Sequence, residues 1–325
     1  MVEQEGRLFK ETAPKAGGNR TSIWWGLMAL ALLTAIWGYC NILIRQLEFS
    51  LDPSVFLLIR YIVVGLIGLP LIFLGPRLTA KRWLAGVAAG ALLAGVTFFQ
   101  AVSMESIPVD DVAFITALYV VLTPLVMAVW RRRVPHRVVT AAALASILGV
   151  ALLVGIGQLT LSVAAGTFWA LLAAVFATFQ IIGTTEVGRT MTTIQLTILE
   201  ALGAGLTLTV YTLVAHPHAL TALSLNLPFS VWWRFGFLAI LGTLVAGWLQ
   251  VWGQQRLTAT EAALAFNMEP VWTAFFAWLV FGQWLSLLKL IGAALIVASL
   301  VALSVSAQET VALEVPNAKA PYREH

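Results

Sequence analysis

Charged side chains are scarce in this sequence. Asp, Glu, Lys and Arg make up 10% of its 325 residues, against roughly 25% in a soluble globular chain. A water-facing surface cannot be covered with so few charges, which excludes a soluble globular enzyme. There is one cysteine, Cys40, inside an apolar run, so no intrachain disulfide can form. Only four His are present, and no HExxH or CxxC spacing occurs, so the usual metal-site patterns are missing; no cofactor is expected either. No GxxxxGK[ST] stretch offers a phosphate-binding loop for ATP. The net charge of +4 is too small and too dispersed for a nucleic-acid surface.

What the chain has instead is apolar length: 60% of its residues are hydrophobic. A hydrocarbon core of about 30 Å needs about 20 apolar residues as helix. Ten such runs are found, roughly at 23–44, 54–74, 83–103, 112–130, 138–158, 163–183, 194–214, 235–253, 262–281 and 285–305. The links 159–162 and 282–284 are the shortest, and fusing either pair would leave nine. Asp52-Pro53, Gly75-Pro76, Val134-Pro135 and His216-Pro217 mark turns, because proline lacks an N–H and restricts the residue before it. Backbone in lipid must satisfy itself, which leaves helices or a closed barrel, and runs of this length without alternation are not barrel strands. Trp24, Trp25, Trp83, Trp130, Trp232, Trp233 and Trp284 sit near run ends, as an aromatic belt at the headgroups requires. The polar first 22 residues and the length of the first run speak against a signal peptide.

Orientation follows from the positive charges. With the N-terminus in the cytoplasm, the inner segments hold 15 of the 19 Lys and Arg, among them Arg77, Lys81, Arg82 and the Arg131–Arg133 run. The outer turn 104–111 carries Glu105, Asp110 and Asp111 with no cation. Both termini then lie inside, in the cell (plasma or inner) membrane. The tails 1–22 and 307–325 are expected to be disordered, and no loop is long enough to form a separate domain.

Ten helices divide into two fives, 23–158 and 163–305. A shift of 150 pairs Gln100 with Gln250, Asp111 with Glu261, Ala113 with Ala263, and Thr123 with Thr273. The identity is weak, but the arrangement repeats: a span ends in Gln, an acid opens the next, and a polar residue (Tyr119, Glu269) follows near its midpoint. Because five is odd, the second half enters the membrane in the opposite sense. The expected fold is therefore all-α integral membrane, ten transmembrane helices as two inverted five-helix repeats, a plan that places substrate between the halves.

The first span carries Ala35-Ile36-Trp37-Gly38 and Asn41, and the second Leu58-Ile59-Arg60-Tyr61. The fourth reads Ala113-Phe114-Ile115-Thr116-Ala117-Leu118-Tyr119 and then Pro124. The ninth reads Ala262-Ala263-Leu264, Met268-Glu269-Pro270-Val271 and Phe281-Gly282, the most specific stretch. These residues resemble the EamA type of the drug/metabolite transporter superfamily. Gln283 stands where the family usually has an acid, and Met104-Glu105 where it has a tyrosine. The resemblance implies transport of amino acids, metabolites, nucleotide sugars or drugs, often with proton coupling, and leaves the cargo open.

Candidate site residues are the polar and aromatic groups inside spans. A carboxylate at the depth of Glu269 costs at least about 2.5–3.5 kcal/mol, so it must face a cavity, find a cation or be protonated. It is either a proton-coupling or substrate-amine group, or a packing group bonded to backbone freed by Pro270. Arg60 either snorkels outward or binds an anionic group, Glu269 or Glu200. Asn267, Phe266 and Pro270, with Thr116, Tyr119 and Thr123 in the fourth span, are expected to line the cavity by i+3 and i+4 spacing. Trp37 and Phe179 could supply an aromatic wall. Asn41, Gln100, Gln180 and Gln250 are neutral polar groups that serve either as interhelical glue or as site residues. The expected activity is secondary active transport, in the export direction, of a small organic metabolite, with protons as candidate coupling ion and a homodimer admissible. A channel or a membrane-embedded enzyme is the alternative.

Overall fold

The structure, a computed structural model, describes residues 20–45, 53–104, 106–107, 109–132, 137–154, 165–215, 228–282, 284 and 286–314. Glu105, Arg133, the link 159–162, His216, His218 and Gln283 lie outside the described residues. All regular structure among the described residues is helical: α1 (Arg20–Arg45), α2 (Pro53–Ile72), α3 (Ala80–Met104), α4 (Val109–Thr116), α5 (Tyr119–Arg131), α6 (Arg137–Val154), α7 (Ala165–Gly188), α8 (Thr193–Ala215), α9 (Phe229–Ala239), a π turn (Ile240–Val245), α10 (Ala246–Gln254), α11 (Ala259–Phe266), α12 (Met268–Phe281) and α13 (Leu287–Glu314). Among the described residues, eight stretches are long and apolar enough to cross a membrane; Arg137–Leu152 and Leu287–Ala302 are shorter apolar helices. Helix α13 continues to Glu314, past the expected start of a disordered tail at 307.

Several ends have local causes. Arg132 (φ 50°) and Gly282 (φ 66°) close α5 and α12 in the left-handed conformation, and the Gly282 N–H bonds back to Trp278 O. Thr258 caps α11 in a reciprocal box. Its backbone N–H donates to Glu261 Oε2 at 2.7 Å, and Glu261 N–H donates to Thr258 Oγ1 at 3.3 Å. The acid that opens the ninth run is therefore a helix cap.

Two runs read from the sequence as continuous are interrupted. The fourth breaks at Ala117–Leu118, bridged by three-residue bonds such as Val120 N–H to Ala117 O. The ninth breaks at Asn267, where Pro270 has no N–H to give the Phe266 carbonyl. A π turn lies in the eighth run, and within it Thr243 Oγ1 donates to Leu238 O at 3.0 Å.

Helix α1 packs on α10 and α12, α3 on α7 and α8, α2 on α8, and α6 on α13. The α3–α8 seam is set by glycine: a Cβ on Gly90 would lie 2.2 Å from Glu200 O, and one on Gly203 would lie 2.1 Å from Val87 O. Large apolar side chains such as Ile67, Leu74, Val129 and Val214 are exposed on the outside of the bundle, as a lipid-facing surface requires. Of the belt tryptophans, Trp24, Trp25, Trp130, Trp232, Trp233 and Trp284 are exposed.

Candidate functional site: a cavity inside the bundle

The bundle holds a cavity of about 640 Å³, within the size range of small-molecule sites. Its walls are the C-terminal part of α1 (Trp37–Ile44), the N-terminal part of α2 (Phe56–Tyr61) and the C-terminal part of α3 (Leu93–Val102). Thr116 and Tyr119 flank the break in the fourth run, and Phe266 and Glu269 flank the break in the ninth. Helices α7, α8 and α10 and the π turn complete it. Asn41 is exposed here.

The other end of the bundle is packed shut. Ile23, Leu27, Leu30, Ile181, Ile182, Leu249 and Leu257 form one buried cluster. Beyond it, Gln254 Nε2 donates to Ile181 O (3.1 Å), and Gln255 Nε2 donates to Gly188 O (2.8 Å) and Met191 O (3.2 Å). Gln195 Nε2 ties α8 to Ile72 O and Pro76 O, and Glu186 pairs with Arg131 at 2.9 Å and Arg189 at 3.2 Å.

Two carboxylates and one guanidinium line the cavity. Glu269 Oε1 accepts from Asn41 Nδ2 at 2.9 Å, and Asn41 also donates to Thr273 Oγ1 at 3.2 Å. Glu200, buried, accepts a short bond from Thr184 Oγ1, and Thr184 accepts from Gln180 Nε2 at 3.0 Å. Arg60 is buried with its guanidinium against the rings of Tyr61 (5.0 Å) and Phe56 (6.0 Å). Trp37 Nε1 donates to Gly242 O at 3.3 Å and so fastens α1 to the π turn.

Residues 24–155 and 164–305 each match the profile of the EamA-like transporter family. The chain belongs to the EamA-like transporter family. Its fold is thus that of a multi-pass membrane protein of a transporter family. A solved structure described only as a crystal structure of a protein shares this fold. It has a TM-score of 0.70 and 17% identity, covering 89% of this chain and 98% of the other. None of the curated proteins matches.

In this EamA-like chain, Trp37, Asn41, Arg60, Gln100, Thr116, Tyr119, Gln250, Phe266 and Glu269 all line the one cavity. Asn267 does not. It is fully buried and its Nδ2 donates to Ser146 Oγ at 2.9 Å, on α6. Neighbouring helical residues point about 100° apart, so Phe266 and Glu269 share a face that Asn267 leaves. Thr123 is buried away from the cavity, and Phe179 is exposed and not a cavity wall. Arg60 is buried and pairs with neither Glu269 nor Glu200: among the described residues no carboxylate lies within 4 Å of it. Sequence reading passed over Cys40, Thr97, Tyr61, Phe98, Tyr211 and Thr197, which also line the cavity. Only Tyr61, beside Arg60, carried a signal. Gln180, a neutral polar candidate, and Glu200, a candidate partner of Arg60, line it as well.

Proposed function

We propose that this chain is a secondary carrier that moves a small organic solute by alternating access, and that the cavity is its binding site. The observation that carries the reading is the cavity itself: helices of both matched segments wall it, and it holds Glu269 and Glu200 inside the bundle. Intramembrane acids are costly and mark transport pathways.

The proposal includes ten spans in two inverted five-helix repeats, with cytoplasmic termini. Four things support it. The family profile matches twice. The breaks at Ala117 and Asn267 lie 150 residues apart, at the same place in each half. Packing partners exchange between the halves: α1 lies on α12 and α10 as α7 lies on α5 and α3, while α2 meets α8 and α6 meets α13. The positive charges fall on alternate turns. With this orientation the packed end is cytoplasmic and the cavity is on the outer side, an outward-facing state. Export is the proposed direction, with a proton entering at Glu269 in exchange.

The test is counterflow in proteoliposomes, after a thermal-shift screen of amino acids, sugars, nucleosides and organic cations has chosen the solute. A carrier accelerates labelled uptake into vesicles preloaded with unlabelled solute, whereas a channel or enzyme does not. Cys40, Arg60, Tyr61, Tyr119 and Glu200 share the cavity with Glu269, so Glu269→Gln is compared with Glu200→Gln across pH. Loss of pH dependence in E269Q alone is expected; unchanged pH dependence in E269Q removes the coupling role.

A further inference from the structure

Arg60 is a buried cation with no carboxylate within 4 Å among the described residues. Its residue is 8% exposed, and it lines the cavity. Its Nη2 donates to the Tyr61 hydroxyl at 3.3 Å, and its Nε has no hydrogen-bond partner. The acids of the same cavity are engaged by neutral donors, Glu269 by Asn41 and Glu200 by Thr184. A buried, unpaired charge is expensive, and removing it from water is tolerated where a partner arrives. The rings of Phe56 and Tyr61 attract the guanidinium but leave its Nε without a hydrogen-bond partner. The guanidinium is a planar fork of donors, the shape that takes a carboxylate through two parallel hydrogen bonds. A second unpartnered group, Thr116 Oγ1, is also buried on this cavity. The same lining also includes the aromatic rings of Trp37, Phe98 and Phe266.

We infer that the transported solute carries a carboxylate on an apolar body, and that Arg60 is the group that recognises it. This rests on the carrier reading above and names the substrate class of the same cavity. The carboxylate completes the Arg60 donor edge, and the apolar body lies against the aromatic wall.

The test uses three probes of one shape: 3-phenylpropionate, phenylalanine and phenethylamine, with inorganic phosphate as a control. Binding to the full-length detergent-purified protein is followed by tryptophan fluorescence and by the shift in melting temperature. The two carboxylates are expected to bind and stabilise, and phenethylamine and phosphate are not. Arg60→Gln should weaken carboxylate binding at least about tenfold, as expected for loss of hydrogen bonds to a charged group. Arg60→Lys should restore part of it, and a ligand-free melting temperature close to the parent's shows that both variants fold. The inference is overturned if phenethylamine or phosphate binds as well as the carboxylates, if no carboxylate binds, or if R60Q binds them unchanged. Counterflow of 3-phenylpropionate separates the two readings. Arg60-dependent binding without counterflow removes the carrier and keeps the carboxylate site; counterflow of the screened solute that is indifferent to R60Q does the reverse.

Discussion

Gly90→Ala tests the seam on which the bundle is built. The new methyl carbon would sit 2.2 Å from Glu200 O and 2.9 Å from Ala204 N, both backbone atoms of α8 that no rotamer change can move. Ordinary contact begins near 3.4 Å, so α3 and α8 must part by roughly 1.2 Å at this point. A gap of about 0.5–1 Å already forfeits a quarter to a half of each dispersion contact it opens. In lipid, such contacts are a main source of helix association. The Val87–Gly203 crossing lies in the same seam and would be lifted with it. Overpacking of this kind costs on the order of 1–3 kcal/mol, and the backbone-to-backbone clash puts G90A at the upper end. Gly183→Ala is the control: its nearest neighbour would be Leu92 Cδ1 at 3.8 Å, an ordinary contact, and a change within about 0.5 kcal/mol is expected. The assay is unfolding in mixed micelles by denaturing-detergent titration, with size-exclusion profiles recorded in parallel. If G90A unfolds at the same midpoint as G183A, the α3–α8 seam is not as close as described and the reasoning fails.

Asn267→Ala removes a buried hydrogen bond to Ser146 without touching the cavity. It should cost about 1 kcal/mol of stability, and solute affinity of the folded protein should be unchanged; a tenfold loss of affinity at parental stability would return Asn267 to the site. Thr258→Ala removes the N-cap of α11 and should destabilise by about 1 kcal/mol. Serine at the same position should restore it in the same unfolding titration, and a Ser variant no better than Ala would show that the box is incidental.

Composition and run length made the helical membrane architecture legible, since 20 apolar residues in lipid have little choice of structure. The breaks were less legible. Pro270 foretold trouble near Glu269, but the matching break at Ala117–Leu118 has no proline within it; Pro124 lies inside α5. The cavity was legible because polar residues in apolar runs must point somewhere sheltered, and most of those named do line it. Asn267 shows the limit of that logic. A buried amide is equally well sheltered against a neighbouring helix, and whether Ser146 stands opposite is a fact of packing that one run cannot carry. Arg60 shows the converse: depth suggested a partner acid, while the acids that were available are bonded to neutral side chains instead.

The same contrast bears on where a carrier of this build could move. The α3–α8 seam joins one matched segment to the other through backbone contacts that glycine alone permits, and sliding there would meet a carbonyl at once. The packed end is held differently, by side-chain amides reaching carbonyls, as with Gln195, Gln254 and Gln255. Such bonds are individually weak in a membrane, about 0.6 kcal/mol on average, and new partners can replace them. Two conformations separated by a few kcal/mol can interconvert; two separated by a lost helix seam cannot. Among the described residues, three places where the helical ladder is already irregular, Ala117–Leu118, the π turn and Asn267, all border the cavity or one of its lining residues. Glu269 follows one of them by two residues, and Trp37 is bonded to another through Gly242. A solute that engages Glu269 or displaces Trp37 therefore acts on the irregular segments directly. For the alternating access proposed above, the physically economical motion is bending at those points around a fixed α3–α8 seam.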